Sequence, residues 1–224
     1  MDNFSICIPF CSHDARRLEI LSWLSRHYQS LFPTVEIVVG FDAEYSDDDQ
    51  VNRSKMRNNA VRGAKSETLL IIDADCWLSE AAVIEAVTRV NAGAPVVQTH
   101  GVAYVSDAWT RVLLDANPAL LRHIPDNYVH ERAGICKGFL FGMTRATFER
   151  VGGFDERFVG WGFEDDAFVA KVEHEVGPRQ EIAECGYHLS HARVPFKQMF
   201  VSNSFWRNDA LANSYRRAVC SCAR

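Results

Sequence analysis

The stretch Leu69-Leu-Ile-Ile-Asp73-Ala-Asp75-Cys-Trp77 constrains the fold more than any other part of the chain. Four consecutive apolar residues bounded by charge fit a strand covered on both faces, as in a parallel sheet with helices on either side. In extended backbone, side chains two apart point the same way, so Asp73 and Asp75 are expected to converge just past the strand's carboxyl end. That edge of an open α/β sheet is where ligands sit. Two carboxylates so close repel unless a cation or hydrogen-bond donors lie between them. Mg²⁺ and Mn²⁺ are commonly held by one or two carboxylates together with substrate phosphates. The competing reading is that Asp75 caps a helix beginning near Ser79.

The flanking segments supply the remaining layers. Phe4 to Phe10 reads as a first strand with Pro9 near its end, and Val35 to Val39 as a second. Between them Leu18, Leu21, Leu24, Tyr28 and Leu31 recur at helical spacing behind a capping Asp14. The polar Asp47-Asp-Asp-Gln50 is a loop, and a helix over Asn52 to Ala64 leads to the central strand. Two such crossovers predict a βαβαβ nucleotide-binding half over about residues 1–105.

Beyond it, Ser79 to Val90 reads as a helix and Ala94 to Gln98 as a strand. Asp107 to His123 is helical in pattern with a break at Pro118, and Pro125 to Lys137 reads as a surface loop. Gly138 to Met143 resumes as a strand, and Thr144 caps a short helix ending at Gly152-Gly153. With no repeat or linker, residues 1–224 are expected to form one domain, with an acceptor and catalytic half over about 106–195 and a tail over 196–224.

At 224 residues, 47% hydrophobic, the chain can bury a core without disulfides. Its seven cysteines are an odd number with no Cys-x-x-Cys pair, which points to a reducing compartment. No apolar run is long enough to cross a bilayer and the amino terminus lacks a basic start, so a soluble cytoplasmic protein is expected. A net charge of −5 disfavours whole-surface attraction to nucleic acid.

A second acidic cluster, Gly160-Trp-Gly-Phe-Glu-Asp-Asp166, opens a helix to about Glu175. Asp165, Phe168, Val169 and Val172 fall at i, i+3, i+4 and i+7, so Asp165 is expected on the interior stripe with Glu164 and Asp166 flanking it. Acids in a first turn also offset the helix dipole, which explains Asp165 least well. A partly buried carboxylate at a cleft mouth is a candidate general base. The glycines around Trp161 permit close approach of a ligand, such as a sugar stacked on the indole.

Farther on, Cys185-Gly-Tyr-His188-Leu-Ser-His191 closes a strand with two histidines three apart. Either can complete a site with Asp75; the alternative is structural zinc through Cys185, His188 and His191, which needs a fourth ligand. The carboxyl-terminal stretch interleaves Arg193, Lys197, Arg207, Arg216, Arg217 and Arg224 with Phe196, Phe200, Phe205, Trp206 and Tyr215. It reads first as a helix packed on the domain and second as a peripheral contact for a membrane or an anionic acceptor.

Together these residues resemble GT-A fold glycosyltransferases, and most closely the β-1,4-galactosyltransferase family. Ile8-Pro9-Phe10 is similar to the family's opening strand and nucleotide-binding turn. Asn52-Arg53-Ser54-Lys55, with Asn58, is similar to its Phe-Asn-Arg-Ala-Lys helix, with Val51 for the leading Phe. Asp73-Ala74-Asp75 stands for its Asp-Val-Asp. Gly152-Gly153-Phe154 and Trp161-Gly162-Phe163-Glu164-Asp165-Asp166 resemble its Gly-Phe and Trp-Gly-Gly-Glu-Asp-Asp segments. His188 and His191 stand where the family has a manganese-binding Met and His.

The resemblance spans about Phe4 to Arg193 and implies a GT-A fold: a Rossmann-like α/β domain with a mostly parallel central sheet flanked by helices. It implies Mn²⁺ (or Mg²⁺) on Asp75, His191 and His188, and a nucleotide-sugar donor, expected to be UDP-linked, near Pro9, Asp42, Arg53, Asp73 and Ala74. Asp165 corresponds to the base, with Trp161, Gly162, Glu164 and Asp166 around the sugar substrates. The implied reaction is metal-dependent, inverting transfer of a hexose or N-acetylhexosamine to a hydroxyl of a glycan, protein, lipid or modified nucleic acid. Phe163 departs from the family's glycine, so acceptor preference does not carry over. The rivals are a nucleotidyltransferase, whose glycine-rich phosphate loop is missing from Phe10 to Asp14, and a non-catalytic nucleotide-sugar binder, which has no need of a base.

Overall fold

The computed structural model describes residues 3–11, 14–42, 51–134, 138–160, 162–192 and 207–215. The chain opens β1 (Phe4–Pro9), α1 (Ala15–Leu31), β2 (Glu36–Gly40), α2 (Arg53–Gly63) and β3 (Thr68–Ile72). Asp14 caps α1 by accepting from the Arg17 amide at 3.1 Å, and Asn52 caps α2 through the Lys55 amide at 2.9 Å. β1 lies between β2 and β3 with both pairings parallel, as the two crossovers require.

The chain then turns into β4 (Cys76–Trp77), α3 (Glu80–Asn91), β5 (Val97–Thr99), β6 (Gly101–Val105) and α4 (Asp107–Asp115). Ser79 caps α3, so Asp75 is not a helix cap. Short 3₁₀ turns at Pro118–Leu120 and Asp126–Tyr128 lead to β7 (Val129–Gly134), β8 (Leu140–Thr144) and α5 (Arg145–Arg150). α6 (Glu164–Glu175), β9 (Gln180–Ile182) and β10 (Gly186–His188) follow, and residues 207–215 form a last helix, α7.

The main sheet has the order β2-β1-β3-β8-β5-β9, with β8 antiparallel to both neighbours and the other pairings parallel. β3 shows why it is central. Leu70 and Ile72 enter the core beneath α1 and α3, while Leu69 and Ile71 enter the one shared with Phe148, Phe168 and Val172 of α5 and α6. Both faces are covered, as the apolar run predicts. A second sheet, β4-β10-β6-β7, stands beside it.

Three sequence expectations are corrected. The helix expected to reach His123 stops at Asp115, because Pro118 cannot continue it and instead starts a 3₁₀ turn after Asn117. The expected loop from Pro125 to Lys137 contains β7, whose Val-His-Glu-Arg run is too polar to signal a strand but pairs antiparallel with β6. The strands β4, β6 and β9, five residues or fewer each, have no period long enough to read. The predicted loop at 47–50 lies outside the described residues, as does the tail apart from 207–215.

Gly40 fixes how β2 meets α2. A Cβ there would lie 2.1 Å from the Met56 carbonyl oxygen and 2.4 Å from the Ala60 nitrogen, both backbone atoms that cannot swing aside. Gly40→Ala is expected to destabilise the protein by about 3 kcal/mol, at the top of the usual overpacking range. Equilibrium urea unfolding measures this; a loss below about 0.5 kcal/mol, the scale of an ordinary surface change, would mean that α2 separates from the sheet without cost.

Candidate active site

The short pairing of β4 with β10 decides which side chains meet. Cys76 lies opposite His188 and Trp77 opposite Tyr187, while the Leu189 amide donates to the Asp75 carbonyl at 2.9 Å. Asp75 Oδ2 therefore stands 2.9 Å from His191 Nε2 and 3.6 Å from His188 Nε2. Ligand-capable atoms of the three residues all lie within 4.8 Å of one another, the one such group of three or more among the described residues. Cys185 is not part of it, so the structural zinc alternative does not form.

The hydrogen bonding of His191 bears on what this group can hold. Its Nδ1 lies 2.7 Å from the Ala192 carbonyl, which can only accept, so Nδ1 carries the hydrogen. In the neutral ring Nε2 then presents a lone pair to the Asp75 carboxylate 2.9 Å away. Two acceptors so placed repel, and a proton or a metal ion between them removes the conflict. One carboxylate and two imidazoles suit a first-row divalent cation, and the residues present fit Mn²⁺. Burial alone would raise the Asp75 carboxyl; His188, the His191 hydrogen bond and Arg17 outweigh it and hold the group well below the usual carboxylate range. Arg17, in the first turn of α1, approaches Asp75 Oδ2 to 3.8 Å and was not singled out by the sequence.

Asp73 does not converge with Asp75 as an extended pair would. The Cys76 amide donates to the Asp73 carbonyl at 3.0 Å, so the chain turns and sends the two carboxylates to different partners. Asp73 meets Arg57, the residue that sequence reading missed and around which the site is built. The Arg57 side chain is 1% exposed and lies 3.1 Å from Asp73, 3.1 Å from Glu164 and 2.8 Å from Asp165. Its guanidinium sits 5.4 Å from the ring centre of Phe141 and 5.1 Å from that of Phe154. Arg57 shares the buried stripe of α2 with Ser54, Ala60 and Val61, and an arginine on such a stripe is the signal that was available.

The Gly-Gly-Phe motif is the scaffold for this floor. Asn58 donates to the Phe154 carbonyl and accepts from its amide, both at 2.9 Å. Gly153 has φ +65°, and a Cβ there would lie 2.9 Å from Asn58 Oδ1, so only glycine fits the turn that presents Phe154.

Three carboxylates share one cation, and the consequence falls on Asp165. Loss of water, with Glu164 and Asp73 close by, pushes its carboxyl up to about 8 despite Arg57. Asp73 is raised by burial and by Asp75, again against Arg57. The expected order of burial in α6 is corrected: the Glu164 side chain is 5% exposed and Asp165 25%. The helix begins at Glu164, which turns inward onto Arg57, whereas Asp165 sits at the rim. Its Oδ1 has no hydrogen bond beyond the ion pair, and a Cβ on Gly138 would lie 2.6 Å from its Oδ2. Gly138 thus reserves the space at that oxygen, a second position the sequence did not mark.

The segment before α6 is unusual backbone. Gly160, Gly162 and Phe163 have φ of +82°, +94° and +71°. For a phenylalanine this costs roughly 1–3 kcal/mol, and it explains why a glycine suits the position in the resembling family. Arg53 donates to the Gly160 carbonyl at 3.1 Å, placing the start of α2 against this loop. Trp161 lies outside the described residues. Asp42 is paired with Lys55 at 3.1 Å, its side chain 6% exposed. Pro9 and Ala74 are buried at the carboxyl edge of the sheet, and Asp166 is half-buried on α6.

The architecture is that of the GT-A glycosyltransferases. A family model described as the N-terminal domain of galactosyltransferase matches residues 121–192, a span containing Asp165, His188 and His191 but not the Asp73–Asp75 turn. A mutant of Drosophila β1,4-galactosyltransferase 7 in complex with manganese, UDP-Gal and xylobiose superposes with TM-score 0.51 at 16% identity, over 90% of this chain and 80% of that one. S. aureus TarS 1-349 with UDP-GlcNAc gives TM-score 0.58 at 14% identity, over 96% and 66%. The mannosyltransferase PcManGT from Pyrobaculum calidifontis, with GDP-Man and Mn²⁺, gives 0.51 at 15%, over 85% and 58%. No curated protein sequence matches this one. The likeness to GT-A glycosyltransferases, a β1,4-galactosyltransferase among them, therefore lies in the fold, and the family match to galactosyltransferase covers residues 121–192.

Removing Arg57 would leave three acids without their cation. Arg57→Leu is expected to cost about 3–5 kcal/mol at neutral pH. The freed carboxyls would have folded pKa values above their unfolded ones, so the variant should regain stability as pH falls. Urea unfolding at pH 7.5 and 5 checks this; a deficit that is equal or larger at pH 5 would contradict the assignment.

Proposed function

We propose that the protein is a metal-dependent, inverting glycosyltransferase. It moves a hexose or N-acetylhexosamine from a nucleotide sugar, UDP-linked by the family resemblance, to an acceptor hydroxyl. The observation that carries the reading is the joining of two groups through one guanidinium. Arg57 holds Asp73, two residues before the cation-fitting Asp75, and Asp165 in the first turn of α6, so the turn that carries the one group and the helix that carries the candidate base meet on it.

Asp75, His188 and His191 would hold the divalent cation, which when bound neutralises charge on the departing nucleoside diphosphate. Arg17 lies beside that group and adds a second positive charge there. Asp165 takes the proton of the acceptor hydroxyl as its oxygen bonds to the anomeric carbon; the bond from that carbon to the diphosphate oxygen breaks, and its electron pair leaves with the nucleotide. Attack from the face opposite the leaving group inverts the centre. Arg57 aims Asp165, and Gly138 makes room for its Oδ2. Glu164, salt-bridged at the floor, positions Arg57. By the family resemblance Pro9, Asp42, Arg53 and Ala74 would serve the nucleotide, and Trp161, Gly162 and Asp166 the sugars.

No described helix is long and apolar enough to cross a membrane. A peripheral role for the basic tail, with an anionic or lipid-linked acceptor, remains a subsidiary proposal; removing residues after Pro195 should then weaken acceptor binding in a protein that stays folded.

The deciding assay is nucleotide release from a panel of UDP-hexoses, UDP-N-acetylhexosamines and GDP-mannose with Mn²⁺ and mixed acceptors. Release from a UDP-sugar that EDTA abolishes is the expected outcome, and no release from any donor would leave a binder. The carboxyl held near 8 makes a further demand. A base works only when deprotonated, so kcat/KM should climb with pH through about 8. Asp165→Asn should bind UDP with Mn²⁺ as before but lose transfer by about a hundredfold or more. A flat profile from pH 6 to 9, or lost nucleotide binding in the folded variant, would remove Asp165 from this role.

A further inference from the structure

The loop that leads into Asp165 is held from one side by α2 and from the other by α7. On the first side the Gly160 amide donates to the Val51 carbonyl at 2.8 Å, and Arg53 donates to the Gly160 carbonyl. On the second, Asn208 is fully buried, and its side-chain amide donates to the carbonyls of Val159 and Gly162, each at 3.2 Å. Those two carbonyls bracket position 161. One side chain of α7 therefore fixes the peptide chain on both sides of position 161.

Two contacts, both involving Tyr215, bind α7 in place. Tyr215 donates to Asp155 at 2.5 Å, and Arg157 forms a fork onto the same carboxylate. Phe163 and Tyr215 pack with Phe158 and Ala212 in a small apolar cluster separate from the two main cores. Phe163 is the one described non-glycine residue with positive φ. Its ring is what glycine at this position would lack, and that ring is anchored on the α7 cluster. The unfavourable backbone at the entry to α6 is therefore offset by packing in a cluster to which α7 contributes Leu211, Ala212 and Tyr215.

We propose that α7 is a clamp for the acceptor loop, in which Asn208 is a positioning residue and Phe163 the coupling that lets this chain dispense with glycine. The acceptor side of the inference rests on the transferase reading above. The clamp itself is a statement about loop 159–163. It makes acceptor use depend on a helix that contributes no residue to the Asp75, His188 and His191 group, so loosening the clamp should raise the acceptor KM and leave nucleotide binding alone.

The test uses the full chain and three measurements on Asn208→Ala and Asn208→Asp. Hydrogen exchange of the peptide covering 156–164 should quicken by about tenfold or more, with exchange in β3 unchanged. The Kd for UDP with Mn²⁺ should stay at the wild-type value. The acceptor KM should rise by about tenfold or more, with a smaller change in kcat. Protected exchange in 156–164 in both variants would overturn the clamp whatever the enzyme does. Quickened exchange with the acceptor KM unchanged would overturn its link to the acceptor. Should the wild type bind no nucleotide, the transferase reading fails while the exchange result still decides the clamp. Phe163→Gly supplies the second variant: it should keep the loop conformation yet lose the coupling, so that adding Asn208→Ala gives faster exchange than either change alone.

Discussion

A single buried guanidinium holds this structure's two halves to a common chemistry. Arg57 projects from the second helix into a space closed by Phe141 and Phe154 and is met there by three carboxylates, one after β3 and two from the start of α6. Placing a charge beneath two aromatic rings is costly unless it is paired, and a surplus of acid partners satisfies that need. The surplus has its own effect, since one cation cannot balance three anions in the absence of water. The Asp165 carboxyl keeps its proton to an unusually high pH, the property wanted of a group that is to take a proton near neutrality. The same side chains thus account for a fold constraint and for the tuning of a candidate base.

Around that centre, small backbone features decide where each acid goes. The turn closed between Asp73 and Cys76 parts the two aspartates, giving one to Arg57 and one to the histidines. The two-residue β4 then pairs with β10 and delivers His188 and His191 to the second aspartate. On the opposite side, Gly160, Gly162 and Phe163, each with positive φ, lead into the first turn of α6, whose acids meet the guanidinium. The absence of a side chain at Gly138 makes room for the Asp165 carboxylate. Each is a local device of one to four residues, and together they place a metal-fitting group and a candidate base at one edge of the sheet.

Much of this was legible in the chain, for identifiable reasons. The unbroken apolar character and length of the Leu69–Ile72 run revealed a strand buried on both faces, and Asp14, Asn52, Ser79 and Thr144 announced the helix starts they cap. The grouping of Asp75 with two histidines over a hundred residues away followed from motif order, not from any local signal. What escaped notice is physically of a kind. Arg57 sits on a helix whose period is plain, but a basic residue on an interior stripe was passed over because its partners lie at 73, 164 and 165. Gly138 and Asn208 act through close approach and through carbonyls, neither of which leaves a pattern in one sequence. The parting of Asp73 from Asp75 depends on a turn that the extended reading of an Asp-x-Asp pair does not foresee.

The central claim is that Asp75, His188 and His191 form the cation site and that Arg57 ties it to Asp165. Anomalous diffraction from crystals grown with Mn²⁺ and UDP tests it most directly. The account predicts one manganese peak within bonding distance of Asp75 Oδ2 and of His191 Nε2, with the nucleotide phosphates on the same ion and the Arg57 to Asp165 contact intact. A manganese ion bound away from Asp75, or a nucleotide seated on a different edge of the sheet, would contradict it.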